Sequence, residues 1–362
     1  MSSNSQGNKS SYRLGRRARL IRSLMIFLIL VGGGIYGITK FASNTSTHTK
    51  VTVLPTIGPA SVFIPPGSAR GRTAYTYASY QVAVAETGTK LCVPNGTSPA
   101  GAALTTCGLR TLQLGVYYPA LSSGSNIVPY RGSDPLPLVV FAPGYDQYYS
   151  AYAPLIEALV TSGFVVVGVN FPLNDPSSPG GPDEADILNE PGDMTAVINW
   201  ALQSNQTQTS PLYQLINPNK IVVAGQSDGG NVALATAYNT CCRDSRIKAA
   251  IIYSGAELPT FPGTYFPSGL SIPLLVVQGT ADTINLPSAS DQIFAGAPSP
   301  KYYLHLIGAD HLAPYTTPGQ FLSITASVSA SFINGYVNGL SGEINKMAIT
   351  GNVPGVATFQ SG

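Results

Sequence analysis

Uninterrupted apolar runs are the feature of this chain that most constrains its fold. Four of them, PLPLVVFAPG, GFVVVGVNFP, KIVVAG and IPLLVVQG, begin at residues 135, 163, 220 and 272. A strand covered on only one face alternates apolar and polar residues, whereas a parallel strand buried on both faces is apolar throughout. These runs therefore predict a mostly parallel sheet with helices packed on both faces.

Stretches with helical spacing lie between most of the β-rich runs, which is typical of a doubly wound α/β fold. The first two predicted strands have no helix between them, so we expect the sheet to start with antiparallel strands. Eight strands are predicted, at residues 75–85, 112–118, 136–142, 164–170, 221–224, 249–253, 273–278 and 302–307. Five helices are predicted, at residues 152–161, 193–202, 231–238, 288–294 and 320–336.

The N-terminal region carries the signals of export. Residues 1–22 form a basic segment with five arginines between Arg13 and Arg22, and residues 23–41 are mostly apolar. An apolar stretch of about 20 residues is long enough to cross a bilayer as a helix. Because basic residues tend to stay in the cytoplasm, we expect a transmembrane signal anchor with the rest of the chain outside the cell membrane. A cleaved signal followed by a secreted domain is the alternative.

Three further segments follow the predicted anchor. Residues 42–72 are rich in Ser, Thr and Pro and have little periodicity, which indicates a linker. Residues 73–340 contain all the predicted strands and helices, so we expect them to form one folded domain. Residues 341–362 show no strong pattern, and we expect a loose C-terminal tail.

Charge and cysteine content narrow the class of protein. Charged residues make up 10% of the chain and the formal net charge is +2, so there is no electrostatic case for binding nucleic acid. The four cysteines have no C-x-x-C spacing, which favours disulfides over a zinc site. We expect Cys92 to pair with Cys107, because adjacent cysteines have Cα atoms about 3.8 Å apart where roughly 4.4–6.8 Å is usual. The state of Cys241 and Cys242 stays open.

The segment GQSDGG at residues 225–230 is the sharpest local signal of function. It matches the pattern G-x-S-x-G, directly after the predicted strand IVVA and directly before a predicted helix. In such an elbow the serine occupies a tight strand-to-helix turn, and the glycines let neighbouring backbone approach closely. The hydroxyl is then raised above the sheet, so Ser227 is the candidate nucleophile.

The chain after the elbow supplies candidates for the partners that a serine nucleophile needs, a histidine base and an orienting carboxylate. His311, in the loop GADHLAP after the last predicted strand, is the candidate base, whereas His305 lies inside that strand and is expected to be structural. Asp282, in the turn GTADTI, is the candidate acid, and Glu257 after the preceding strand is the alternative. We expect Asp310 to face solvent or to structure its loop.

Acyl transfer also needs two N–H donors for the developing oxyanion. The N–H of Asp228 follows the nucleophile, and the N–H of Tyr145 lies in the loop PGYD after a predicted strand. We also expect Tyr145 and Gln226 to contact the substrate. No metal or cofactor is expected, because the acidic residues between Asp175 and Asp186 lack the alternating ligand spacing of a calcium loop.

Four stretches resemble the α/β-hydrolases in their order and spacing: FAPGYDQYYSAYAPLIEALVTSGFVVVGVNFP, VVAGQSDGGNVALA, LLVVQGTADTI and LIGADHLAP. The resemblance covers residues 73–340 and is to the group that includes the platelet-activating-factor acetylhydrolase type, dienelactone-hydrolase-like proteins and cutinase-like bacterial polyester hydrolases. It implies an α/β-hydrolase fold and places the family's triad and oxyanion hole on the residues assigned above. Many relatives carry His or Met beside the elbow serine, where this chain has Gln226 and Asp228.

These residues and this resemblance imply an exported or membrane-anchored serine hydrolase that cleaves a small or lipid-like carboxylic ester through an acyl-enzyme. The alternatives are a serine peptidase or acyltransferase on the same fold, and a non-catalytic binding module. A carboxylate beside the nucleophile should disfavour anionic substrates. The long loops at residues 170–192 and 254–269 are rich in Pro, Gly and aromatic residues, and we expect them to cover the site.

Overall fold

A ten-stranded sheet organises the part of the chain that the computed structural model describes, which is residues 76–90, 109–178 and 180–362. The strands are β1 (Thr76–Lys90), β2 (Leu109–Ala120), β3 (Gly124–Ser125), β4 (Leu136–Ala142), β5 (Val165–Asn170), β6 (Ile216–Gln226), β7 (Ile247–Tyr253), β8 (Leu274–Gly279), β9 (Lys301–Leu306) and β10 (Ala357–Ser361). The α-helices are α1 (Ala153–Thr161), α2 (Glu190–Gln206), α3 (Asp228–Tyr238), α4 (Pro287–Gly296), α5 (Ala313–Thr316), α6 (Gln320–Tyr336) and α7 (Ser341–Gly351).

The predicted membrane anchor at residues 23–41, the linker and the expected bridge between Cys92 and Cys107 lie outside the described residues. Among the helices that are described, none has the length and apolar character needed to span a bilayer. The second cysteine pair does lie within the described chain. Cys241 and Cys242 form a disulfide just after α3, with their Cα atoms 3.8 Å apart.

The sheet is mostly parallel, as the apolar runs predict. The strand order is β10-β9-β8-β7-β6-β4-β5-β2-β1-β3, and the six neighbouring strands from β9 to β5 in this order all run parallel. β1 is antiparallel to β2, and β2 is antiparallel to β5. All eight predicted strands are present, so the predictions of a doubly wound α/β sheet and of its antiparallel start are confirmed.

The sheet has ten strands and not the predicted eight, because β3 and β10 are short and have no apolar run of their own. β10 and α7 occupy residues 341–362, so the prediction of a loose tail there is wrong. β10 pairs antiparallel with β9, and the rings of Tyr302 and Phe359 stack across this pair with centroids 5.5 Å apart. Met347 of α7 is fully buried. Tertiary packing therefore orders a segment that has no local signal.

Successive residues of the central strands enter two separate hydrophobic cores. In β4, Leu138 and Val140 belong to one core, whereas Val139 and Phe141 belong to the other. Helices α2 and α3 contribute to the first core, and α1 and α6 contribute to the second. Because side chains alternate across a strand, a strand covered on both faces must be apolar at every position. This requirement explains the uninterrupted runs in the sequence.

The carboxyl ends of β4 and β6 lie at the point where the winding of the sheet changes direction. From β4 the chain continues to β5 on one side, and the next strand, β6, then pairs with the other side of β4. In open α/β sheets such a switch point opens a crevice at the carboxyl ends of the strands. The loops after β4, β6, β8 and β9 are therefore the place to look for a site.

A buried ion cluster joins β2 to the segment after β5. Arg110 donates from Nη1 and Nη2 to Asp186 at 2.7 and 2.6 Å, and from Nε and Nη2 to Asp193 at 2.6 Å each. All three side chains are fully buried. Burial alone would lower the pKa of Arg110, but the hydrogen bonds and charges of both carboxylates raise it. The guanidinium therefore stays charged and ties the start of α2 to the sheet.

We expect Arg110→Met to lower the free energy of unfolding by about 3–5 kcal/mol, because it leaves two buried carboxylates without their cation. Lys346→Met is the control. It removes a partly exposed ion pair with Glu343 and should change the same quantity by less than about 1 kcal/mol. Urea unfolding at pH 7 measures both variants, and equal effects would contradict a structural role for the buried cluster.

Candidate active site

Ser227 lies between the last residue of β6 and the first residue of α3. Its backbone has φ 56° and ψ −123°, a conformation that residues with a Cβ rarely adopt. The N–H of Ser227 donates to the carbonyl of Tyr253 in β7 at 2.9 Å, and its carbonyl accepts from the N–H of Asn231 in α3 at 3.0 Å. Sheet and helix thus hold the turn from both sides, with the serine at the carboxyl edge of the sheet.

The two glycines of the elbow are required by close backbone packing. A Cβ on Gly229 would lie 2.2 Å from the carbonyl oxygen of Ala142 in β4, and a Cβ on Gly225 would lie 2.0 Å from the carbonyl oxygen of Gly229. Both distances are far shorter than any van der Waals contact. The pattern G-x-S-x-G therefore records how tightly the first turn of α3 packs on β4 and β6.

His311 and Asp282 approach Ser227 from the loops after β9 and β8. His311 Nε2 lies 2.9 Å from Ser227 Oγ, and His311 Nδ1 lies 2.7 Å from Asp282 Oδ2. His311 is 7% exposed and Asp282 is 2% exposed. When Nδ1 carries the proton and donates it to Asp282, Nε2 is available to accept the serine proton. The structure thus brings together the three residues that the sequence selected from distant positions.

Three groups besides His311 donate hydrogen bonds to Asp282. Gln278 Nε2 donates to its Oδ2 at 2.9 Å, and the N–H groups of Ile284 and Asn285 donate to its Oδ1 at 2.9 and 3.0 Å. Burial alone would raise the pKa of Asp282, but the hydrogen bond and charge of His311, together with these donors, lower it below its usual value. The carboxylate is therefore ionised and has one fixed orientation.

The other candidates from the sequence take different positions. Glu257, the alternative acid, has no part in this chain of hydrogen bonds, because Asp282 occupies the second nitrogen of the histidine. The Asp310 carboxylate accepts two N–H groups at the start of α5, at 3.0 and 2.8 Å, and so structures its loop. His305 lies within β9 and its ring stacks on Tyr303 with centroids 3.7 Å apart.

The loop after β4 runs beside Ser227. A Cβ on Gly144 would lie 3.1 Å from the Cβ of Ser227, so the backbone of this loop is in direct contact with the elbow. The next N–H, that of Tyr145, makes no hydrogen bond within the described residues. The N–H of Asp228 is the first of α3, where no helical carbonyl precedes it to accept. Two backbone donors therefore flank Ser227 at the edge of the sheet.

Gln226, which was predicted to contact the substrate, lies behind the site. Its side chain has no exposed surface. Oε1 accepts from the hydroxyl of Tyr152 at 2.7 Å, and Nε2 donates to the carbonyl of His311 at 2.9 Å. The prediction of a substrate contact is therefore wrong, because protein partners occupy both ends of the amide. Tyr145, in contrast, is 37% exposed at the edge of the crevice.

Asp228 places a carboxylate next to Ser227 in the sequence. Burial raises its pKa to about 6 and the charge of Glu184 adds to this effect, while His311 and a 3.1 Å hydrogen bond from Asn231 oppose it. Within the described chain no lysine or arginine contributes to this balance. The ionised form of Asp228 therefore lowers the free energy of unfolding.

Further carboxylates lie around Tyr145. Its hydroxyl donates to the carbonyl of Pro182 at 3.0 Å, which brings the segment after β5 against the loop after β4. Burial, followed by the charges of Glu184, Asp146 and Asp183, raises the pKa of Tyr145 to about 12. The rim of the site is therefore acidic. No set of three or more His, Cys, Asp or Glu side chains among the described residues is arranged to hold a metal ion.

Both long loops that were predicted to cover the site contact its framework. In the loop after β5, the carbonyl of Asn174 accepts from the N–H of Asp146 at 2.9 Å. In the loop after β7, the N–H of Ala256 donates to Asn231 Oδ1 of α3. Each loop is thus attached to an element that carries one of the two candidate oxyanion donors, so the loops border the site.

A family model described as PET hydrolase-like matches residues 115–339, which is more than half of the chain. This range includes the elbow, both loops with Asp282 and His311, and the loop after β4. The cutinase-like part of the resemblance stated from the sequence is confirmed by this match, as is the α/β-hydrolase fold.

Curated relatives agree with the family match. The chain is 28% identical over 200 residues to Cutinase est2 of Thermobifida alba, covering 54% of this chain and 59% of the relative. It is also 28% identical over 200 residues to Cutinase est1 of the same organism, covering 54% and 60%. It is 29% identical over 226 residues to a bis(hydroxyethyl) terephthalate hydrolase of Streptomyces coelicolor, covering 60% and 61%. The chain thus spans about three fifths of the length of the curated relatives it matches.

We expect Asp228→Asn to stabilise the protein at pH 8 by about 2 kcal/mol. A carboxyl group whose pKa is raised by folding opposes folding when it is ionised, so the gain should shrink as the pH falls from 6 to 4. Urea unfolding at several pH values measures this trend.

Asp244→Asn is the control, and its effect on the free energy of unfolding should have the opposite sign. Burial alone would raise the pKa of Asp244, but its hydrogen bonds and ion pair with Arg246 lower it overall. This variant should therefore lose stability at pH 8, and the loss should shrink as the pH falls through the folded pKa. The pH dependence attributed to Asp228 would be refuted by an Asp228→Asn gain that is the same at pH 4 and pH 8.

Proposed function

Because the chain belongs to the PET hydrolase-like family, we propose that it is an exported serine hydrolase that cleaves carboxylic esters through an acyl-enzyme. The observation that carries the proposal is the chain of hydrogen bonds from Ser227 Oγ through His311 to Asp282. It lies beside two backbone N–H groups at the carboxyl edge of the sheet. A nucleophile, a base, an orienting acid and oxyanion donors are the parts that acyl transfer requires.

In the first half-reaction His311 Nε2 accepts the proton of Ser227 as Oγ attacks the ester carbonyl carbon. The carbonyl oxygen gains negative charge and accepts hydrogen bonds from the N–H groups of Tyr145 and Asp228. Each such donor contributes about 3–4 kcal/mol to transition-state stabilisation in comparable sites. The imidazolium then gives its proton to the leaving alcohol as the ester C–O bond breaks.

In the second half-reaction water replaces the alcohol. His311 accepts a proton from the water, whose oxygen attacks the acyl carbon, and the proton then returns to Ser227 Oγ as the carboxylic acid leaves. Asp282 stabilises the imidazolium in both steps without accepting its proton. Its lowered pKa keeps it ionised for this role.

Ester hydrolysis is preferred over peptidase and acyltransferase activity because the curated relatives are two cutinases and a bis(hydroxyethyl) terephthalate hydrolase. We propose neutral esters as the substrate class. Asp228 lies next to Ser227, and the charges of Glu184, Asp146 and Asp183 act on the hydroxyl of Tyr145 at the rim. An acid group on the substrate near the scissile bond would meet these carboxylates, and like charges in a partly dry site repel strongly.

Export is common to the anchored and the secreted alternatives. The arginine-rich segment at residues 1–22 and the apolar segment at residues 23–41 support it. The disulfide between Cys241 and Cys242 also supports it, because disulfides persist mainly in oxidising compartments.

A fluorophosphonate probe should label Ser227 in the wild-type protein, and peptide mass spectrometry should place the adduct on the peptide that contains it. Ser227→Ala and His311→Ala should each lower kcat for a nitrophenyl ester by several orders of magnitude. The double variant should be no worse than either one, because both lose the same proton-coupled attack. Asp282→Asn should also lose activity, whereas Glu257→Gln is the control and should keep it. A wild-type protein that ignores the probe would refute the proposal.

A neutral aromatic diester and its anionic half-ester test the substrate class. We expect kcat/KM at pH 8 to be at least about tenfold higher for the diester, which corresponds to about 1.4 kcal/mol of repulsion. Asp228→Asn should narrow this ratio, and so should 0.5 M salt, because salt screens the charges at the rim. Asp244→Asn, a change in the segment between α3 and β7, should leave the ratio unchanged. If Asp228→Asn and Asp244→Asn lowered the ratio of kcat/KM for the diester to that for the half-ester equally, selection by the carboxylates at the rim would be contradicted.

A further inference from the structure

A buried chain of hydrogen bonds connects the two loops on either side of Ser227. The N–H of Gly144 donates to Tyr152 Oη at 3.1 Å, and the hydroxyl of Tyr152 donates to Gln226 Oε1 at 2.7 Å. Gln226 Nε2 donates to the carbonyl oxygen of His311 at 2.9 Å and lies 3.2 Å from the ring nitrogen Nε2 of the same histidine. The chain therefore runs from the oxyanion loop to the proposed base.

The direction of each hydrogen bond in this chain follows from its ends. A backbone N–H can only donate, so Tyr152 accepts from Gly144 and must send its own hydrogen to the oxygen of Gln226. A backbone carbonyl can only accept, so the amide nitrogen of Gln226 faces His311. The amide orientation of Gln226 is thus determined at both ends, and reversing it would break two hydrogen bonds.

Neither linking side chain is accessible to solvent. Tyr152 and Gln226 both have 0% exposure, and polar groups buried in this way destabilise a protein strongly when a partner is lost. A Cβ on Gly144 would lie 2.8 Å from Gln226 Oε1 and 3.2 Å from Tyr152 Oη. The backbone of the loop after β4 is therefore packed directly on the side chains of Gln226 and Tyr152. A shift of His311 must then be transmitted to this loop, and a shift of the loop to His311.

We infer that Gln226 is a positioning residue that holds His311 and the oxyanion loop in register with Ser227. The inference rests on the proposed function, and it assigns a role to a side chain that does not touch the substrate. Through the carbonyl of His311 it determines where the imidazole lies. Through Tyr152 it determines where the loop that carries the Tyr145 N–H lies.

Two variants separate the two effects. Gln226→Met keeps side-chain length but removes both ends of the amide. We expect it to lower kcat about 10- to 100-fold with little change in KM, since a misplaced base weakens the transition state. Tyr152→Phe removes the hydroxyl that joins Gly144 to Gln226 but leaves the hydrogen bond from Gln226 to the carbonyl of His311. It should therefore lower kcat by a smaller factor than Gln226→Met, again with little change in KM.

Tyr238→Phe is the matched control. Tyr238 is also fully buried and its hydroxyl donates to the carbonyl of Ile272 at 3.0 Å, but it lies at the far end of α3. It should change neither kcat nor KM. The inference would be overturned by a Tyr152→Phe variant with full kcat, or by a Gln226→Met variant whose loss lies in KM and not in kcat.

The backbone ¹H–¹⁵N resonance of Gly144 separates this inference from the proposed function. If the wild-type protein neither turns over esters nor reacts with the fluorophosphonate, the proposed function fails. The resonance does not depend on turnover and reports the position of the loop that Tyr152 connects to Gln226. A resonance that is displaced in Gln226→Met but not in Tyr238→Phe supports the inference, and a resonance at the wild-type position in both variants overturns it.

Discussion

The backbone of Ser227 is the constraint on which the rest of the site depends. A positive φ at a residue with a Cβ costs on the order of 1–3 kcal/mol, and it persists only where the surroundings enforce it. Here a carbonyl of β7 holds the N–H of Ser227, α3 holds its carbonyl, and Gly229 packs against the end of β4. The turn is thus clamped by three neighbouring strands and one helix. Because those strands are buried on both faces, the clamp is rigid.

Buried carboxylates are neutralised in the framework of the protein but not beside Ser227. Where structure is needed, Arg110 neutralises two buried carboxylates with four short hydrogen bonds. At the rim, no lysine or arginine of the described chain pairs with Asp228, and burial raises its pKa to about 6. An ionised carboxylate without a cation repels other negative groups that approach it. This repulsion is strongest where water is scarce, so such a carboxylate can select among substrates.

Strands and site residues could be predicted from the sequence where a local pattern has one physical cause. The four short apolar runs between helical patterns are typical of strands covered on both faces, and the residues that follow such strands must meet at one edge of a parallel sheet. The elbow, Asp282 and His311 could therefore be found from their positions alone. β10 and α7 could not, because their order comes from packing such as the stack of Tyr302 on Phe359, and neither partner signals the other locally.

The two variable positions of the elbow show where prediction from sequence ends. The pattern G-x-S-x-G is required by the close approach of backbones, so its glycines have the same meaning in any chain that folds this way. The residues on either side of the serine are free of that requirement. Gln226 still belongs to β6 and its side chain is buried in the framework, whereas Asp228 opens α3 and faces the rim. The change from strand to helix at Ser227 decides which neighbour is buried in the framework and which lies at the edge of the site. Gln226 is held by Tyr152 and His311, whereas Asp228 begins the helix, so the two positions can diverge separately.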